Sequence, residues 1–243
     1  MSTIKAQSAK PSSPLIHHRG PHLGALAIVY TVLFLAGLYP VTIFGDKIHF
    51  PGPWESGSVI VRYFQTHPTN VLICAFLQFG ATVALGIFTA TIVSRLRFLR
   101  VTAAGPYIAL FGGFLTVVHG MAAAALLWVM AYPGIAQDTT LLQALYYLSY
   151  ALGGPGFSVP MGLLIAGISI PGLVLKLLPK WLVWFGLFLA LSGELSWLNM
   201  VLPQALFLIP LVRFPSFVWL IATGFLLPKG ITARRVPVEQ LAA

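Results

Sequence analysis

Leu182-Val183-Trp184-Phe185-Gly186-Leu187-Phe188-Leu189-Ala190-Leu191-Ser192-Gly193-Glu194-Leu195-Ser196-Trp197 is a long apolar run with one carboxylate set inside it. A run of this length and composition is a membrane-helix candidate. A charge within it is expensive, and such charges face other helices, a cavity or a partner rather than lipid. The rest of the chain reads as the enclosure around Glu194.

Composition agrees. Of the 243 residues 58% are apolar and only 8% charged, and the mean hydropathy is +0.90. Soluble domains carry roughly a quarter charged residues, so an ordinary aqueous surface is excluded. The length suits about six spans of roughly 20 residues with short loops. The expected fold class is therefore all-α, a polytopic transmembrane helical bundle with the lipid bilayer as its surroundings. The expected organisation is a disordered tail over residues 1–21, one transmembrane domain over 22–228 and a second tail over 229–243.

Six spans are expected in order. The first runs from about His22 to Phe44; it is longer than a signal-peptide core and lacks a small-x-small cleavage site, so it reads as retained. Residues 45–69, with Pro51, Gly52, Pro53, Gly57 and Pro68, read as a loop. The second span, about Asn70–Val93, stops at the basic hairpin Ser94-Arg95-Leu96-Arg97-Phe98-Leu99-Arg100. The third covers about Ala103–Tyr132. A straight helix over residues 141–175 would reach about 50 Å, too long for a roughly 30 Å core. The stretch Gly153-Gly154-Pro155-Gly156 interrupts it, which leaves an interfacial or re-entrant piece up to Leu152 and a fourth span from about Phe157 to Leu175. The fifth span covers about Trp181–Met200 and the sixth about Leu206–Leu227.

An even number of spans puts both ends on one side. On that side fall Lys5, Lys10, Arg19, Arg95, Arg97, Arg100, Lys176, Lys180, Lys229, Arg234 and Arg235, eleven of the fourteen Lys and Arg; Lys47, Arg62 and Arg213 fall opposite. Positively charged loops stay in the cytoplasm, so both termini are expected to be cytoplasmic and the location a cell inner (plasma) membrane. The same placement explains the net charge of +9 without nucleic acid, for which no aromatic-basic face is visible.

Helical rise then sets depth. Glu194 lies roughly 20 Å and His119 roughly 24 Å from the cytoplasmic ends of their spans, and Gln78 roughly 12 Å from the outer end of its own. All three fall in the outer half of a 30 Å core. Trp197 shares a helix side with Glu194. Asn199 lies nearby, and Arg213 is expected above them near the outer interface. Three readings stay open. Glu194 pairs with His119 or Arg213 as structural glue in a membrane subunit, alone, as an oligomer or with a partner chain. Alternatively Glu194, His119, Gln78, Trp197, Asn199 and Arg213 line an outer-half cavity that binds or transports a small or lipidic molecule. In the third reading Glu194 and His119 are the acid-base pair of an enzyme acting on a lipid or isoprenoid.

Other chemistry is not signalled. There is no phosphate-binding glycine loop, no H-E-x-x-H and no G-x-S-x-G. His119 is the one histidine deep in a span, which argues against a bis-histidine haem within one chain. His18 and His22 have helical spacing but no further ligand nearby, so a surface tail is the better reading than a metal site. Cys74 is the single cysteine and lies in an apolar run, so no intrachain disulfide forms.

Two stretches carry a resemblance, Leu178-Pro179-Lys180-Trp181-Leu182-Val183-Trp184-Phe185-Gly186-Leu187 and Phe214-Pro215-Ser216-Phe217-Val218-Trp219-Leu220-Ile221-Ala222. With them the C-terminal third resembles a group of uncharacterised bacterial multi-span membrane proteins. The resemblance implies a helical bundle in a bacterial inner membrane and supplies no catalytic residue.

Overall fold

The computed structural model describes residues 15–42 and 49–232. A short strand β1 (Leu15–His17) precedes α1 (Leu23–Thr42), α2 (Gly57–Thr66), α3 (Pro68–Phe98), α4 (Gly105–Met130), α5 (Pro133–Gln137), α6 (Thr139–Gly153) and α7 (Pro155–Val174). Then come α8 (Lys180–Leu195), two 3-10 turns at Ser196–Met200 and Pro203–Phe207, α9 (Leu208–Leu226) and strand β2 (Gly230–Thr232). Six segments are long and apolar enough to cross a membrane, with α6 and α7 together forming the fourth. The expected helical bundle is what the chain forms.

The spans pack as a closed ring: α1 on α3, α3 on α4, α4 on α7, α7 on α8, α8 on α9, and α9 back on α1. Sequence neighbours are thus spatial neighbours, as short connections require. Inside the ring Tyr30, Phe34, Phe157 and Phe217 meet with ring centroids 5.3–6.5 Å apart, the usual offset and edge-on range. Outside it, Phe76, Phe111, Trp184 and Val218 are exposed, as a lipid-facing surface demands.

In lipid, helices gain no hydrophobic energy from each other, so close backbone approach must supply the attraction. Small residues supply it here. A Cβ on Gly112 of α4 would stand 2.6 Å from the Pro160 carbonyl and the Leu164 amide of α7, and one on Gly193 of α8 would stand 2.8 Å from the Ser158 carbonyl. Helix α7 is therefore gripped on two sides by its neighbours' backbones.

Three expectations need correction. The segment expected to be a loop contains α2, because Ile60, Val61, Tyr63 and Phe64 bury one face of a ten-residue helix under the Pro- and Gly-rich stretch before it. Helix α3 does not stop at Val93; its 31 residues run on through Arg95 and Arg97, and Arg95 is buried at 3% exposure rather than sitting in a surface hairpin. Part of each tail is ordered, since β1 and β2 pair antiparallel with Ile16 opposite Ile231. That pairing brings the segment before α1 and the segment after α9 together at one end of the ring. His18 donates its amide to the Lys229 carbonyl at 2.8 Å and its ring meets Ser94 Oγ at 3.0 Å. His22 stands 3.1 Å from Lys229 Nζ, so the two histidines face different partners. Lys5, Lys10, Lys47, Arg234 and Arg235 lie outside the described residues.

Gly112→Ala should force α4 from α7 and cost about 1–3 kcal/mol, read as a lower melting temperature in detergent. Gly134→Ala, with open space around its Cβ, should stay within about 0.5 kcal/mol of the parent. Equal melting temperatures for the two variants would refute the close-packed seam.

Candidate functional site

The fourth crossing breaks where the sequence places its glycines. Gly154 has φ −87° and ψ −103°, outside helical geometry. Pro155 carries no N–H and cannot complete a helical bond to the Ala151 carbonyl. The Phe157 amide goes to the Gly154 carbonyl at 3.2 Å, which leaves the Gly153 carbonyl without its helical donor. Backbone groups freed at membrane depth must be satisfied by protein or water. Arg213 of α9 does this, donating from Nη2 to the Gly153 carbonyl.

The guanidinium of Arg213 is otherwise held by rings. Its Cζ lies 4.7 Å from the centroid of Phe157 and 5.6 Å from that of Phe34. Desolvated contacts of this kind are worth up to about 2 kcal/mol, yet they do not neutralise a charge. Among the described residues no carboxylate pairs with Arg213. Glu55 is bonded to His49, Asp138 caps the Leu141 amide, and Glu194 Oε1 is buried without a partner. Arg213 Nε is also buried and unpartnered.

A cavity of about 230 Å³ opens beside this arginine. Gln78 and Cys74 of α3, Tyr146, Ser149 and Tyr150 of α6, and Gly153 and Gly154 at the break contribute to its wall together with Arg213. Leu38, Val41, Leu127 and Ile209 make the apolar part. Tyr150 is positioned by Asn199, whose Nδ2 donates to the phenol oxygen at 2.5 Å. Ser149 turns away to the Ala123 carbonyl at 3.2 Å.

The loop between α1 and α2 roofs the cavity through Phe50. Tyr146 donates to the Pro51 carbonyl at 2.6 Å, and the Phe50 amide bonds the Val41 carbonyl at 3.1 Å. Burial pushes the Tyr63 hydroxyl up to about 12, so it stays protonated and also points to Val41, at 3.4 Å. The Gly52 amide donates to Glu55 Oε1 at 2.7 Å. That amide bond, with a smaller share from His49, holds the Glu55 carboxyl below its ordinary value.

The six candidate residues do not form one constellation. Gln78 and Arg213 share the cavity, and Asn199 reaches it through Tyr150. Arg213 points inward to the helix break. Glu194 lies in the seam between α8 and α7, where a Cβ on Gly162 would stand 3.1 Å from its Oε1. His119 faces the first turn of α7, with its Cγ 3.6 Å from the Cβ position of Gly156, and its Nδ1 is buried without a partner. No hydrogen bond joins His119 to Glu194 among the described residues, and neither lines this cavity. Trp197 is 52% exposed, because the chain tightens to a 3-10 turn at Ser196 and swings it away from Glu194. Sequence reasoning passed over Tyr146, Tyr150 and the Gly153 carbonyl as site groups. Tyrosines near a span end are indistinguishable in sequence from ordinary interfacial residues, and the carbonyl is signalled only by the interruption itself. No group of three or more metal-ligating side chains forms among the described residues.

Fold and site together define an integral, multi-pass membrane protein with a largely apolar cavity, one wall of it polar, at a broken span. No protein-family model, no curated protein and no solved structure matches the chain.

Two outcomes follow from this geometry. Glu194→Gln removes an unpaired charge from a packed seam and should leave the melting temperature unchanged or raise it; a clear fall would reveal an ion pair. Glu55, with its folded value depressed, stabilises the roof loop above the unfolded value of 4.5. That contribution should fade as pH falls through the lower folded value. Amide hydrogen exchange at Gly52, corrected for intrinsic rates, should show less protection at pH 3 than at pH 6.

Proposed function

We propose that the protein binds, and in a membrane setting can carry, a small anionic amphiphile in the cavity beside Arg213. The observation that carries this reading is a buried guanidinium, its Nε without a partner and no carboxylate paired with it among the described residues, on the wall of a space of about 230 Å³. Intramembrane arginines face cavities or carry substrate contacts far more readily than they face lipid. A carboxylate, sulfonate or phosphate group would complete the charge balance, and bidentate geometry at a guanidinium suits all three. Tyr150 and Gln78 add neutral polar contacts. The volume lies below the 300–1,000 Å³ common for drug-sized sites, so a compact head group or a short molecule is accommodated, with any tail leaving along the apolar wall.

The broken α6–α7 span supports the same reading, since discontinuous membrane helices recur where ligands bind near freed backbone groups. The cavity lies at the end of the ring opposite the paired termini. The distribution of Lys and Arg and the resemblance of the Leu178–Leu187 stretch favour a bacterial inner membrane with this end outward. Intramembrane acid-base catalysis by Glu194 and His119 is less favoured, because the two contact different turns of α7 and share no hydrogen bond.

Two variants test the proposal by native mass spectrometry of gently purified protein. Arg213→Gln should abolish an anionic species bound to the parent, and should also lower stability because the Gly153 carbonyl loses its donor. Thr42→Trp, at an exposed position on the cavity wall, should block the mouth while the fold survives, reducing occupancy at least about tenfold. Retention of the same species by both variants would refute the site.

A further inference from the structure

At the opposite end of the bundle a second groove, of about 520 Å³, opens between the start of α4 and the end of α7. Its wall is almost wholly apolar, formed by Ile108, Leu163, Ala166, Ile170 and Val174, with Arg100 as its one charged residue. Two helices end at its rim in the same way. After α3, the Arg100 amide bonds the Arg97 carbonyl at 2.9 Å and the Val101 amide bonds Leu96 at 3.0 Å. After α7, the Lys176 amide bonds Leu173 at 3.3 Å and the Leu177 amide bonds Gly172 at 3.0 Å. Both are Schellman caps, and both require a left-handed residue at a position where glycine is the usual choice. In this chain the position holds a cation each time: Arg100 has φ 64° and Lys176 φ 53°, and no other non-glycine residue among those described has a positive φ. A cation near a helix C-terminus gains a little from the helix dipole, but an L-residue is disfavoured in that conformation and glycine would close either cap without the penalty. The pair is better explained by what the charges face.

They face an environment with no counter-charge among the described residues. Of the described carboxylates, Glu55 and Asp138 lie at the far end and Glu194 within the α7–α8 seam, so none is available at this rim. Arg97 adds a third cation nearby, its Cζ 5.2 Å from the Tyr107 ring centroid. We propose that this groove is a binding site for an anionic phospholipid of the surrounding leaflet. One acyl chain would lie along Leu163, Ala166 and Ile170, and the phosphodiester would sit between Arg100 and Lys176. Basic residues over an apolar cleft between spans are the arrangement that selects anionic head groups. The site is separate from the Arg213 cavity and does not depend on it.

The test uses the full chain in mild detergent, titrated with phosphatidylglycerol or phosphatidylcholine of the same acyl composition and read by native mass spectrometry. The parent should prefer phosphatidylglycerol by roughly tenfold, as two surface cations allow. In the Arg100→Gly/Lys176→Gly double variant the preference should vanish while the melting temperature holds or rises, since glycine is at ease in both caps. Arg100→Gln/Lys176→Gln repeats the charge removal without that relief and should behave alike toward lipid. Ile170→Trp, at an exposed groove position, should reduce binding of both lipids. Equal binding of the two lipids by the parent, a preference that survives in the double variants, or undiminished binding by Ile170→Trp would each overturn the assignment.

Discussion

A carbonyl without its helical donor, at membrane depth, is the constraint on which the cavity end of this protein depends. Gly154 and Pro155 cannot continue α6 into α7, and lipid offers no hydrogen bond to replace what is lost. The chain answers with Arg213 from a helix sixty residues away in sequence. Once an arginine is brought to the break, the rest is forced. Its planar face must be covered, and Phe34 and Phe157 cover it. Its remaining N–H groups must meet something polar, and the space beside them is lined by tyrosine, glutamine and freed backbone. The cavity is the consequence of a break repaired by a cation that no described carboxylate pairs.

The same constraint accounts for what the helices do elsewhere. Ser158, Ser169, Thr89 and Thr223 are buried with hydroxyls that have no hydrogen-bond partner, and Glu194 and His119 each keep one such atom. They lie at the inter-helix seams, where small residues let backbones approach within contact distance. At these positions the unmade hydrogen bond is a cost, offset by the close backbone packing of the seam. Glu194 illustrates the difference: it is held by packing against the bare backbone of α7 rather than by a partner charge.

The two ends of the bundle differ in kind. At one end a roof of loop and short helices, tied by Tyr146, Tyr63 and Glu55, closes over the Arg213 cavity. At the other, paired strands and cationic helix caps meet the surrounding phase directly. Carboxylates are confined to the first end and the interior among the described residues. This asymmetry gives the molecule a direction, which a symmetric apolar bundle would lack.

Much of the architecture was legible without coordinates. Apolar runs of spanning length, the Gly153–Gly156 interruption and the basic segments between spans follow from one dimension of the bilayer and one rise per residue, both of which act locally along the chain. Helix α2 escaped notice because ten amphipathic residues beside several prolines and glycines give too short a period. For the site, sequence supplied depth, and depth placed Gln78, His119 and Glu194 in the same half. It could not supply rotation about each helix axis, or which helices are neighbours in the ring. Those were decided by tertiary packing: small residues turn His119 and Glu194 toward α7, the 3-10 turn at Ser196 carries Trp197 outward, and the unpaired Gly153 carbonyl draws Arg213 inward. A hydrogen bond between residues sixty positions apart leaves no periodic trace in a sequence, so only the folded ring brings the cation, the break and the cavity together.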